Sequence, residues 1–279
     1  MSSATSPVLA AEADTKDFKT SSPYAIGPLW MAAGVCLLFA AYAALGTIGH
    51  MSGAVPDYSQ HLITYSSQVL GTWLLLGATM ATVYHRRSFL RESLLDGARP
   101  WRIEFARGFA VFALFLIVAT VVRALLLLAC RKVTTLHHFP YLLQSTDHRL
   151  GVGHRVLSSL TPASGADLVL WMFVSVSAAV CEELIFRGYL LRQCIAALRT
   201  ISVAPRTSII LSVCLTALLF GGMHLYQGVG SALTIAFLGA TYAVAAVQFG
   251  NLRAVIIAHC VQDVVVGLYS YAHNFFLGS

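Results

Sequence analysis

Beyond its first two dozen residues the chain is a series of long apolar runs, separated by short connections rich in arginine, glycine or proline. A helix rises 1.5 Å per residue, so about 20 consecutive apolar residues cross the hydrocarbon of a bilayer. On that measure the runs predict spans from Pro28 to about Ile48, from about Leu62 to Tyr84 and from about Phe105 to Cys130. A fourth runs from about Asp167 to Leu191, with an amphipathic extension to Leu198. The fifth covers about Thr207 to Leu225, the sixth Ser231 to Phe249 and the seventh Leu252 to Tyr271. The predicted fold class is therefore all-α, a polytopic membrane helix bundle of about seven transmembrane helices. Residues 1–23 are polar, with Glu12, Asp14 and Asp17 but no basic leader region, and read as a disordered tail. Residues 24–165 then hold helices one to three and a long loop, residues 166–272 the later helices, and residues 273–279 a short tail.

Composition agrees with the pattern. The chain has 279 residues, 57% of them hydrophobic and 11% charged, against about 25% charged in soluble domains. The net charge of +6 does not point to nucleic acid, because the basic residues gather in connections where they set topology. His85, Arg86, Arg87, Arg91, Arg99 and Arg102 lie between spans two and three, Arg192, Arg199 and Arg206 between four and five, and Arg253 opens seven. Seven spans with the N-terminus in the cytoplasm put all three connections on the cytoplasmic side. A bacterial cytoplasmic membrane is the expected location, since no organelle signal is visible.

The longest connection, residues 131–166, should then face outside although it is basic. Within it Phe139–Leu143 is a candidate interfacial segment. Its histidines (137, 138, 148 and 154) are spaced irregularly, as in a solvated loop rather than a metal site. Arg123, inside span three, either meets a carboxylate of the bundle or snorkels toward the outer end of its helix. The six cysteines fall in or beside apolar segments without paired spacing and read as small buried residues.

Charge inside the spans carries the chemistry. Of 12 acidic residues only Glu182, Glu183 and Asp263 fall inside the predicted apolar helices. A charged side chain at a bilayer centre costs about 2.5–3.5 kcal/mol on insertion scales, so such residues face the bundle interior and mark functional sites. Glu183 and Arg187, four apart, can pair on one helix face. Glu182 points about 100° away and is left out of that pair, as a general base or acid requires. The plain alternative is a polar network that only packs helices. Span five ends in Phe220-Gly-Gly-Met-His224, with Phe220 and His224 on one face and a glycine pair that permits close approach or a break. In span seven His259 and Asp263 are again four apart, so the carboxylate can fix the ring's tautomer.

Glu182-Glu183-x-x-x-Arg187, Phe220-x-x-x-His224 and His259-x-x-x-Asp263, in order on successive apolar helices, resemble the type II CAAX prenyl proteases and bacteriocin-processing (CPBP) intramembrane proteases. The resemblance covers about residues 166–272 and leaves out spans one to three. It implies a membrane-embedded endopeptidase whose catalytic helix core is that segment. It also implies that Glu182 and His224 activate the attacking water and that His259 and Asp263 stabilise the oxyanion, with Arg187 and Glu183 ordering the glutamate-bearing helix. The expected partners are the lipid bilayer and a membrane-anchored or peptide substrate, prenylated CAAX proteins being the family's best-known case. Members of such families are described both as metalloproteases and as glutamate-dependent enzymes. Zinc or another divalent metal would use His224 and His259 with one carboxylate, but no His-Glu-x-x-His is present and ligation would consume Glu182 as the base. The metal-free route is the preferred expectation, with a protonated histidine donating to the oxyanion. Asp263 stands where many members resemble the pattern with Asn, and an ionised Asp cannot donate, so it is assigned to holding His259 as a cationic donor.

Two other classes compete. A non-proteolytic scaffold, immunity or regulatory protein of the same fold would keep the polar cluster for packing alone. A transporter would relay protons through the buried acids, but no inverted repeat or matched pair of broken helices is present. Neither a Gly-x-Ser-x-Gly nucleophile setting nor a second intramembrane Asp supports serine or aspartyl chemistry.

Overall fold

The computed structural model describes residues 58–95, 97–132, 161–227 and 229–277, with five helical residues between 34 and 41. The predicted tail 1–23, most of the first span and the loop from 133 to 160 lie outside the described residues, as does the Arg123 side chain.

Every regular element among the described residues is helical. Helix α1 is Tyr58–Thr82, α2 is Arg86–Leu94 and α3 is Trp101–Lys132. Helix α4, Gly165–Glu183, runs through a π-helical segment, Leu184–Leu190, into α5, Leu191–Thr200. Helix α6 is Pro205–Gly222, α7 is Val229–Phe249 and α8 is Arg253–Leu277. Local signals set several starts. Ser164 and Asp167 form a reciprocal capping box at α4, and Pro205 occupies the first turn of α6, where its missing N–H costs nothing.

Five helical stretches among the described residues are long and apolar enough to cross a membrane: Trp101–Val122, Gly165–Thr200, Pro205–Gly222, Gly230–Phe249 and Arg253–His273. The protein is an integral membrane protein, and its outward faces carry exposed Phe109, Ile117, Phe173 and Leu218. These five correspond to the third to seventh predicted spans; most of the first lies outside the described residues. The predicted second span does form a helix, α1, but Ser66, Ser67, Gln68, Thr72 and Thr79 dilute its apolar face. The count of acids inside helices also rises, because Glu104 and Asp167 are buried in the first turns of α3 and α4. There they accept from exposed ends of the main chain, Glu104 from the Arg99 amide at 2.7 Å and Asp167 from the Ser164 amide at 3.0 Å.

Helix α1 lies parallel to α4 and its π-helical continuation, joined by three polar pairs. His61 Nδ1 lies 3.1 Å from Asp167, Trp73 Nε1 donates to Ser177 at 2.8 Å, and Thr82 Oγ1 donates to the Tyr189 hydroxyl at 3.0 Å. Helix α8 runs antiparallel to α4, with Trp171 facing Asp263 at one end and Gly188 facing Leu252 at the other. Helices α6 and α7 form a tight pair in which Gly221 sits against the main chain at Ala232 and Ala236. The amphipathic helix α2 folds over the far end. Phe89 packs at Gly188, Glu92 pairs with Arg192 at 3.4 Å, and the Leu252 amide donates to Ser93 at 2.8 Å. Three connections predicted to share one side of the membrane thus meet at one end of the bundle.

Candidate active site

The residues singled out in sequence come from the end of α4, the π-helical segment, the end of α6 and the middle of α8. Glu183 is the last α-helical residue before the chain widens into the π turns that carry Arg187, a local departure that recurs at functional sites. Its side chain is fully buried. One oxygen, Oε1, receives both Arg187 Nη1 at 2.8 Å and His259 Nδ1 at 2.8 Å. The other arm of Arg187, Nη2, donates to the Gly239 carbonyl of α7 at 3.2 Å. The guanidinium lies over the Phe220 ring, 4.4 Å from its centroid, in a cation–π contact. One buried ion pair therefore ties together α4, α7 and α8, and α6 through Phe220.

Glu182 lies on the other side of this pair. Its side chain keeps 14% of its surface exposed, against none for Glu183. Its Oε2 is 3.9 Å from His259 Nε2, and Asp263 Oδ2 is 3.6 Å from the same nitrogen. Both separations exceed hydrogen-bonding distance. Asp263 was expected to fix the tautomer of His259; that bond is instead made by Glu183, at 2.8 Å through Nδ1. The i, i+4 spacing on α8 does bring the Asp263 carboxylate alongside the ring, but at its distal nitrogen.

His224 stands two residues past the end of α6, where Met223 and His224 continue the chain in a turn. Its Nδ1 lies 2.8 Å from the Phe220 carbonyl. A carbonyl only accepts, so Nδ1 carries the proton and Nε2 of the neutral ring is an acceptor. The Phe220 ring lies between the two histidines, 5.2 Å from His224 and 6.2 Å edge-on to His259. The expected face sharing of Phe220 and His224 holds although the helix stops between them.

Two neighbours were not singled out in sequence. Tyr242 of α7 packs on His259, with ring centroids 5.8 Å apart, and its hydroxyl donates to Gln262 at 3.1 Å. Only its place in a small-residue run of span six could have flagged it. Trp171 of α4 donates to the main-chain carbonyl of Asp263.

A metal was to be held by His224 and His259 with a carboxylate. Both rings give Nδ1 to an oxygen, which leaves Nε2 as the nitrogen that could meet an ion, but among the described residues no three His, Cys, Asp or Glu side chains are placed to hold one together. As placed, the described side chains fall short of the about three protein ligands around one point that a zinc centre needs.

No curated protein and no solved structure matches the chain. Residues 164–265, the segment that supplies Glu182, Glu183, Arg187, Phe220, His224, His259 and Asp263, match the family described as Rce1-like, type II CAAX prenyl endopeptidase.

Proposed function

We propose that the protein is an intramembrane endopeptidase in which Glu182 activates water against a peptide bond of a membrane-associated substrate, prenylated CAAX-type proteins being the first class to test. The observation that carries this reading is the asymmetry of the adjacent glutamates. Glu183 is sealed and shared between Arg187 and His259, whereas Glu182 is partly exposed and 3.9 Å from His259 Nε2.

The arrangement supports a balanced sequence of steps. Glu182 takes a proton from water as the oxygen attacks the scissile carbonyl carbon. His259, anchored through Nδ1 by Glu183, donates from Nε2 to the oxyanion that develops. The tetrahedral intermediate then collapses, the C–N bond breaks, and Glu182 returns its proton to the leaving amine. Asp263 stands beside the donating nitrogen, with Oδ2 3.6 Å from Nε2. His224, with Nδ1–H given to Phe220, offers Nε2 to accept a hydrogen bond from the attacking water. No step passes through a metal.

The substrate approaches within the bilayer, and the end of the bundle capped by α2 faces the cytoplasm of a bacterial inner membrane, with the N-terminus on that side. The meeting of α2, Arg192 and Arg253 at one end of the bundle supports this orientation under the positive-inside rule.

The test is cleavage of a farnesylated CAAX peptide by purified protein in liposomes, compared with Glu182→Gln. Loss of cleavage in a variant that still folds supports the reading. Undiminished cleavage removes Glu182 from the mechanism, and an inactive native protein favours the non-proteolytic scaffold.

A further inference from the structure

Trp171 lies in the first half of α4, well away along the helix from Glu182, and its ring reaches across to α8. The indole Nε1 donates to the main-chain carbonyl of Asp263 at 2.7 Å. In a regular helix that carbonyl also accepts the amide four residues on, which is Gly267, and its second lone pair is open to the indole. Gly267 is the seat for the ring. A Cβ built there would run into Cδ1, Nε1 and Cγ of Trp171, so any larger residue displaces the indole. Behind the indole stands Tyr65 of α1, packed edge-on at 5.9 Å, and Tyr65 in turn meets the His61 ring at 5.8 Å. The main chain of Trp171 accepts Ser175 Oγ at 2.8 Å. The ring is thus fixed on three sides and aimed at one turn of α8.

That turn bears the Asp263 carboxylate, 3.6 Å from His259 Nε2. A tryptophan in a glycine notch would fasten two helices wherever it fell. Here its hydrogen bond lands on the residue whose side chain faces the proposed donor nitrogen. We propose that Trp171 is a positioning residue for Asp263: seated on Gly267, it holds the turn of α8 that sets the carboxylate beside His259. The inference rests on the endopeptidase reading and adds α4's first half, with its backing from α1, to the machinery.

The experiment compares Trp171→Phe and Gly267→Ala with native full-length protein in liposomes, using the farnesylated peptide. Trp171→Phe keeps an aromatic side chain and removes the donor; Gly267→Ala keeps the donor and removes its seat. Each should lower kcat roughly ten- to a hundredfold, the loss expected of a misplacement near 1 Å, with KM unchanged. In an Asp263→Asn background Trp171→Phe should cost less than in the native protein, because both changes act on one element. Native kcat in either single variant overturns the proposal, as does an equal fractional loss in both backgrounds. A readout without turnover is exchange of the Trp171 indole N–H with solvent, slow in the native protein and faster in Gly267→Ala; rapid exchange in the native protein also overturns it. Failure of the underlying reading looks different, since Glu182→Gln would then cleave normally.

Discussion

Glu183 Oε1 and His259 Nδ1 lie 2.8 Å apart, and the same carboxylate oxygen receives Arg187 at 2.8 Å. Two neighbouring glutamates therefore have separable jobs, and their amides should fail differently. Glu183→Gln leaves a buried guanidinium and an imidazole without their shared anion. Breaking a buried pair by removing one partner costs about 3–5 kcal/mol, so this variant should show a clear drop in thermal unfolding temperature in detergent. Glu182→Gln removes a partly exposed carboxylate outside the pair and should unfold within about 0.5 kcal/mol of the native protein while losing cleavage. A stable Glu183→Gln protein would contradict the anchoring role of that residue.

Arg187→Lys tests the fork. The guanidinium reaches Glu183 with Nη1 and the Gly239 carbonyl with Nη2, two directions that a single ammonium cannot serve at this spacing. The lost charge-assisted bond is worth about 1.5–3 kcal/mol. The expected outcome is a lower unfolding temperature and a loosened contact between the π-helical segment and α7, read as faster hydrogen exchange around Gly239. An unchanged variant would mean that the second arm contributes little.

Much of this arrangement was legible because short-range spacing carries it. Glu183 and Arg187, Phe220 and His224, and His259 and Asp263 are each four apart, and each pair does share a face or turn in the structure. What spacing cannot report is contact between distant segments. The Glu183–His259 bond and the His61–Asp167 pair join residues that no local periodicity relates. The π-helical segment was hidden for a similar reason, since Leu184–Leu190 reads as ordinary apolar helix and its widening depends on what surrounds it. Helix α2 read as a basic connection because its arginines dominate, although Phe89 and Ser93 give it a buried side against the end of the bundle at Gly188 and Leu252. The second predicted span forms α1 but is less apolar than the others, and its hydroxyl side chains turn inward or bond their own helix, as Thr72 and Thr79 do.

Chelation addresses the metal question directly. Among the described residues no three His, Cys, Asp or Glu side chains converge on one point. Cleavage by the purified protein should therefore survive incubation with 1,10-phenanthroline or EDTA, with kcat within about twofold of the untreated rate. Complete loss that added zinc restores would show that the site rearranges to take a metal, and would reassign Glu182 from base to ligand.

The glycine pair after Phe220 makes an internally controlled prediction. A Cβ on Gly221 would fall inside van der Waals contact of the Ala232 carbonyl and the Ala236 amide, main-chain atoms of α7 that cannot swing aside. A Cβ on Gly222 would meet nothing within 4 Å. Gly221→Ala must therefore push α6 away from α7, at a cost of about 1–3 kcal/mol for an overpacked contact. Because His224 follows three residues later and hangs on the Phe220 carbonyl, the same displacement should lower cleavage. Gly222→Ala sits at the helix end without positive φ and should raise stability by about 0.4–1 kcal/mol through the unfolded chain, leaving cleavage unchanged. Thermal unfolding of the two variants side by side decides it: if both behave alike, the close approach at Gly221 is not what holds α6 and α7 together.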